Sequence, residues 1–276
     1  MPPSWPADVL RLIRVRNLLI AAAGVAVGGV VALGRFAIPE PVWLAMGSAI
    51  GLGAAGNVAN DLSDLEADRI NRPDRPLVAG RISRSAAILT GGLLGGTGLV
   101  LAWMAGAATL AIATGALVVM LVYSPLLKRN GIVGNVAVAV VASLPLVYGP
   151  AALGAMRAGT IPFVFASLLH LARELVKDLE DVAGDRMVGR RTMPIVHGEA
   201  TAYLAAAVTL VAFVPASLAP WFAGKYGDRY GVVVVLLNLG VLALVARLLQ
   251  FRHAGARAAL KLAMVAGLAA LVWDRL

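Results

Sequence analysis

Charged residues divide the chain into long apolar runs, and the runs have membrane-spanning length. No charge occurs in 17–34, in 41–60 or in 85–127. The last run holds 43 residues. At about 1.5 Å of rise per residue that is twice what one helix needs to cross a bilayer. A helical hairpin turning near 105–107 is therefore predicted there. Further spans are predicted at 131–155, at 160–172 with continuation into charged sequence, at 200–223 and at 230–246. A ninth, at 258–273, contains Lys261, whose long stem can carry its charge to the interface. Arg11, Arg14 and Arg16 precede the first run as in a signal peptide. That run is long and leads to no small-residue cleavage site before a soluble domain, so it is read as a retained span. The pattern predicts an all-α polytopic membrane protein of nine transmembrane helices, one domain over 1–276.

Composition removes the competing classes. Apolar residues make up 60% of the chain and charged residues 14%, against about 45–50% and 25% in a globular domain. A soluble enzyme, a disordered chain and a nucleic-acid-binding domain are excluded. Thirty glycines suit close packing of membrane helices, and the absence of cysteine excludes disulfides and thiolate metal sites. The net charge of +9 acquires a meaning from its placement. With nine helices, 19 of the 24 basic residues fall at the N-terminus and after helices 2, 4, 6 and 8. The positive-inside rule then predicts a cytoplasmic N-terminus and an outside C-terminus.

The carboxylates are concentrated. Asp61, Asp64, Glu66, Asp68 and Asp74 occupy one window, and Glu174, Asp178, Glu180, Asp181 and Asp185 another; together they are ten of 15. Both windows lie at cytoplasmic helix ends. Asp61, Asp64, Asp68 and Arg69 match Asp178, Asp181, Asp185 and Arg186 at a constant offset of 117 residues. This spacing reads as an internal repeat: two four-helix pseudo-repeats plus a terminal helix, with acidic motifs at 57–76 and 174–194. Positions i, i+3 and i+7 of a helix share a face. Six like charges gathered at an apolar bundle require neutralising cations. Carboxylate oxygens suit hard cations, and magnesium characteristically combines one or two carboxylates with substrate phosphates. Manganese could substitute. His170, His197 and His253 have no paired ligand spacing, and Glu66, Glu174 and Glu180 lie off the repeat and are read as partners of neighbouring arginines.

Basic loops follow both windows. Residues 69–80 hold Arg69, Arg72 and Arg75 among two prolines and a glycine, and residues 186–194 hold Arg186, Arg190 and Arg191. Prolines stiffen such a loop, and guanidinium groups bind phosphate through paired donors. Arg81 and Arg84 read as ordinary interface residues. An anion held between metal ions and arginines, under cytoplasmic cap loops, explains this juxtaposition.

These segments resemble a known family. Asn60-Asp61-Leu62-Ser63-Asp64-Leu65-Glu66-Ala67-Asp68 is similar to the first acidic signature, and Asp181-Val182-Ala183-Gly184-Asp185 to the second, of the UbiA-type intramembrane prenyltransferases. Asn71-Arg72-Pro73-Asp74-Arg75-Pro76, Ala79-Gly80, the stretch from Tyr123 to Lys128 and Gly134-Asn135 look like that family too. The resemblance covers nearly the whole chain. It implies magnesium-dependent transfer of an isoprenyl group from its diphosphate to a lipophilic acceptor. By the same resemblance Asn57, Asp61 and Asp64 on one side, and Asp181 and Asp185 on the other, bind two magnesium ions and the diphosphate. Asn60, Asp68 and Asp178 complete the motifs, the two aspartates through water or indirect contacts. Arg72, Lys128 and Arg191 contact diphosphate; Tyr123 stabilises the allylic cation or binds diphosphate, or equally is an interface aromatic.

Within the superfamily the acidic segments look most like the archaeal ether-lipid branch. This implies geranylgeranyl diphosphate as donor and geranylgeranylglyceryl phosphate as acceptor, with Arg14 and Asn17 near the acceptor phosphate; Arg14 reads equally as a positive-inside anchor. Leu62 and Ser63 stand where related enzymes often carry aromatics. An aromatic acceptor, such as 4-hydroxybenzoate or a quinone precursor, is the alternative within the class. A cation-coupled transporter is the alternative outside it. Membrane lipid is the expected surrounding, with no nucleic acid and no obligate protein partner.

Overall fold

The computed structural model describes residues 5–123, 131–187 and 189–276. All regular structure among them is helical. A short helix α1 (Trp5–Leu12) precedes the spans α2 (Val15–Leu33) and α3 (Glu40–Ser63). Then follow α4 (Leu65–Asn71), the hairpin α5 (Arg84–Ala105) and α6 (Ala107–Tyr123), and the pair α7 (Ile132–Ser143) and α8 (Pro145–Ala152). The second half contains α9 (Thr160–Met187), a short α10 (Met193–His197), α11 (Glu199–Phe222), α12 (Asp228–Leu249) and α13 (Ala256–Trp273). Among the described residues, eight helical stretches are long and apolar enough to cross a membrane, α7 and α8 counting as one. The protein is a multi-pass membrane protein. Helix α6, with 17 residues, is apolar and shorter than these.

The hairpin turns at Gly106, inside the predicted window. Three features differ from the expected helices. The N-terminal segment is itself helical, because Val9, Leu12 and Ile13 pack on Leu77 and Ile82 while buried Asp8 accepts from Arg81 Nε at 3.0 Å. Arg81 thus ties the loop after α4 to α1, beyond a plain interface role. The fifth span is divided at Leu144, where Pro145 occupies the first helical position of α8 and has no N–H to extend the preceding ladder. The third difference lies in the acidic windows. Asp64 leaves helical geometry (φ −94°, ψ 7°), so Asp61 belongs to α3 and Asp68 to α4, while the second triad sits on uninterrupted α9.

Apolar packing closes the two halves around a shared space. Leu175, Val176, Leu210, Val241 and Leu260 belong to the core of α9, α11, α12 and α13. Val25, Val42, Leu52, Ala102 and Tyr148 form the corresponding core of α2, α3, α5 and α8. A third cluster, with Val27, Leu146, Tyr230 and Leu271, joins the halves. Burial of this kind is not driven by water inside a bilayer; close van der Waals fit among small side chains replaces it.

Candidate functional site

A cavity of about 580 Å³ runs through the bundle from a polar end to an apolar one. Arg14, Asn17, Asn57, Asn60, Arg72 and Arg75 are at its polar end, and Ala113, Val141, Leu169, Phe213 and Leu268 are among its apolar walls. A small cleft of about 60 Å³ adjoins the polar end, lined by Asp64, Asp68, Asn71, Asp181 and Arg190 among others. The two acidic windows, 117 residues apart, therefore meet at one place.

Arginines hold the first window. Arg14 and Arg75 both donate to Asp61, Arg75 Nη1 at 2.9 Å, and Arg75 also pairs with Asp68. Arg14 carries a left-handed backbone (φ 55°) between α1 and α2, a costly conformation for a side chain-bearing residue. It thereby also reaches Asn57 Oδ1 at 3.3 Å, while Asn57 Nδ2 donates to the Ile13 carbonyl at 2.8 Å. Asp61, Asp64 and Asp68 are all buried. In water these exposed-type pairs would be worth little, but buried carboxylates must be neutralised, and guanidinium does so with paired donors.

The second window faces the first through Arg72 and Arg190. Arg72 Nη2 donates to Asp181 at 3.4 Å. Arg190 bridges the windows, with Nη1 2.7 Å from Asp185 and Nη2 2.5 Å from Asp64. Burial disfavours the Arg190 cation, and Asp64 and Asp185 outweigh that, holding its pKa above the ordinary value. Asp178 is buried and accepts from Asn135 Nδ2 of α7 at 2.9 Å.

Two glycines make this meeting possible. Gly184 lies between Asp181 and Asp185 on α9, and a Cβ there would stand 2.1 Å from Asn71 Oδ1. Its bare backbone lets the end of α4 settle on α9. Gly189, at φ +69°, ends α9, and Arg190 N bonds back to the Asp185 carbonyl at 2.9 Å. That turn returns the Arg190 side chain over Asp185.

The structure thus brings together Asn57, Asn60, Asp61, Asp64, Asp68, Asp181, Asp185, Arg14 and Arg72, with Asn17 lining the cavity below them. Arg191 is exposed and has no ion-pair partner among the described residues. The side chain of Tyr123 and all of Lys128 lie outside the described residues. Arg75, Arg190 and Asn135 bond the acidic residues and Asn71 lines the cleft against Gly184; the spacing of the carboxylates does not single them out as site residues. For Arg190 the signal was its neighbour: one of two adjacent arginines follows a glycine at a helix end, and the turn selects which points inward. Among the described residues, no group of three or more His, Asp or Glu side chains converges on one point to hold a metal alone. Guanidinium groups stand between them, and the donors offered to a cation are carboxylate and amide oxygens.

Comparison with known proteins agrees with this architecture. The model of the UbiA prenyltransferase family matches residues 18–268. The digeranylgeranylglyceryl phosphate synthase of Natronomonas pharaonis is 35% identical over 269 residues, covering 97% of this chain and 96% of that one. A solved structure concerning digeranylgeranylglyceryl phosphate synthase superposes with a TM-score of 0.80 at 28% identity, covering 97% of each chain. A UbiA homolog from Archaeoglobus fulgidus, solved bound to GPP and Mg2+, shares the fold with a TM-score of 0.71 at 20% identity, over 96% of this chain and 99% of that one. By sequence along nearly its whole length, and by fold, the chain belongs to the UbiA prenyltransferase family.

Proposed function

We propose that this membrane prenyltransferase moves a geranylgeranyl group from geranylgeranyl diphosphate to the free hydroxyl of geranylgeranylglyceryl phosphate, forming an ether bond. The observation that carries the reading is Arg190 spanning Asp64 and Asp185 above a cavity with apolar walls. A diphosphate at that place has cationic donors around it, and its isoprenyl tail has the bundle interior below. Relatives of matching length named for this synthase activity support the choice of donor and acceptor.

In the reaction, the C1–O bond of the donor breaks and its electron pair leaves with diphosphate. The acceptor oxygen forms the new C–O bond and releases its proton to the departing diphosphate or to water. Arg72, Arg75 and Arg190 are placed to accompany the growing negative charge. The apolar walls keep water from the allylic cation. Asn57, Asp61, Asp64, Asp181 and Asp185 form an all-oxygen donor set that fits magnesium shared with phosphate, and Asn60, Asp68 and Asp178 support it. When bound, magnesium would neutralise charge on the leaving group. Nine spans in two four-helix repeats, with α6 as the fourth, and a cytoplasmic N-terminus with the site mouth on the same side complete the proposal; 19 of 24 basic residues on that side support it.

The test is transfer by purified protein from radiolabelled geranylgeranyl diphosphate to a panel of acceptors. Labelled digeranylgeranylglyceryl phosphate is the expected product. Transfer confined to 4-hydroxybenzoate would overturn the acceptor, and cation flux without transfer would overturn the enzyme.

A further inference from the structure

A second charged region lines the same cavity and adjoins the arginine–aspartate cluster through Lys177. Arg173 and Lys177 on α9, and Arg257 and Lys261 on α13, all face the cavity. Glu174 accepts from Arg173 at 2.7 Å and from Lys177 at 3.1 Å, and Glu180 pairs with Arg257. Four cations thus meet two carboxylates. Lys261 has no carboxylate partner among the described residues and lies within the fields of Arg173 and Arg257.

Both helices grade along this face from charged to apolar. On α13, Arg257 and Lys261 are followed at helical spacing by Met264, Leu268 and Leu271, all on the cavity wall. On α9, which runs the opposite way, Pro162, Ala166 and Leu169 lead to Arg173 and Lys177 on one stripe. Cations serving only as interface anchors would turn outward to water or lipid headgroups. All four border one end of an apolar channel, Arg173, Lys177 and Arg257 half-buried and Lys261 exposed at its rim, and ionisable residues so placed mark a ligand path.

We propose that Arg173, Lys177, Arg257 and Lys261, rather than Arg14 and Asn17, bind the phosphomonoester of the lipid acceptor, directly and without a metal, with the acceptor chain lying along the apolar stripes of α9 and α13; Arg14 is engaged by Asp61 and Asn57. This rests on the proposed transfer to a phosphorylated lipid. The chemistry separates it from the donor end. There, carboxylates prevail and a diphosphate needs cations brought with it. Here, cations are in excess, and a phosphate dianion is matched by the protein alone. Lys177 also lines the small cleft beside Asp181 and so stands between the two anions.

The experiment measures binding of geranylgeranylglyceryl phosphate and of its dephosphorylated alcohol in excess chelator. Wild-type protein is expected to hold the phosphate form at least tenfold tighter. The double variant Arg257→Gln with Lys261→Gln is expected to reduce that preference below threefold, while the KM for donor stays within twofold. The pair Arg257→Lys with Lys261→Arg, which keeps the charge and verifies that the region folds, should restore it. Equal affinity for phosphate and alcohol in wild type, a preference that needs magnesium, or one that survives in the glutamine variant would each overturn the proposal. Tight, metal-independent binding of the phosphate form with no prenyl transfer to it would uphold this site and refute the proposed reaction.

Discussion

The two acidic helix ends carry the same spacing of aspartates and are built in opposite ways. In the first, the helix breaks at Asp64 and resumes as α4, which divides the triad between two helices. In the second, α9 passes through its triad unbroken. The first window draws guanidinium groups from three separate segments, through Arg14, Arg75 and Arg190. The second is held by Asn135, Arg72 and Arg190. The asymmetry has a steric purpose. A bend on one side needs a recess on the other, and Gly184 supplies the recess where Asn71 lies. Two identical straight helices would present their carboxylates in parallel rows. A bent one against a smooth one brings Asp64 and Asp185 to the same arginine.

The largest expected effects test whether both windows serve one anion. Excess chelator should abolish prenyl transfer and magnesium should restore it. Asp64→Ala and Asp185→Ala should each lower kcat/KM by about 10²–10³, the scale of losing one electrostatic contact to developing charge. Retained activity in chelator, or a loss confined to one window, would break the shared-anion reading.

Arg190 offers a sharper cut. Arg190→Lys keeps the charge but cannot reach two carboxylates with paired donors, so a loss of about tenfold to a hundredfold in kcat/KM is expected. Arg191→Gln, at an exposed neighbour, should cost less than about threefold. Equal losses measured for the two variants would show that the turn at Gly189 does not select between them.

Gly184→Ala probes the recess alone. Removing a helical glycine favours the helix by about 1 kcal/mol, while the new methyl displaces the Asn71 amide. The expected result is a thermal midpoint changed by less than about 4 °C together with a several-fold loss of turnover. A stability loss without a change in turnover would mean that the contact only packs the helices. The smallest effect belongs to Glu66, whose pair with Arg69 at 3.0 Å is solvent-exposed on both sides. Glu66→Ala should leave kcat/KM within about twofold, since such pairs are worth little.

Much of this molecule was legible in the order of its residues. Uncharged runs of spanning length identified the membrane helices because a bilayer tolerates few charges and requires every backbone group to be bonded within its helix. The 43-residue run had to turn, and it turns at Gly106. Carboxylates repeated at a fixed offset marked the two windows that the fold brings together, since placing them at an apolar bundle is costly without a function. The short helix α1 was hidden because its eight residues bury their apolar side against α3 and a loop, both distant in sequence.

What tertiary structure alone decided is which groups touch. Periodicity assigns a residue to a face of its helix, and says nothing of which arginine among many reaches across. Arg75 serves Asp61 and Asp68 because the loop after α4 folds back beneath Arg81 and Asp8. Arg190 rather than Arg191 enters the cleft because a positive-φ glycine ends α9 one residue earlier. The sequence by itself determined the class of molecule, its long apolar helices and the charge of its polar end, through local length and charge. The pairing of those charges across the cavity depends on the approach of helices more than a hundred residues apart, and only the packed fold sets that distance.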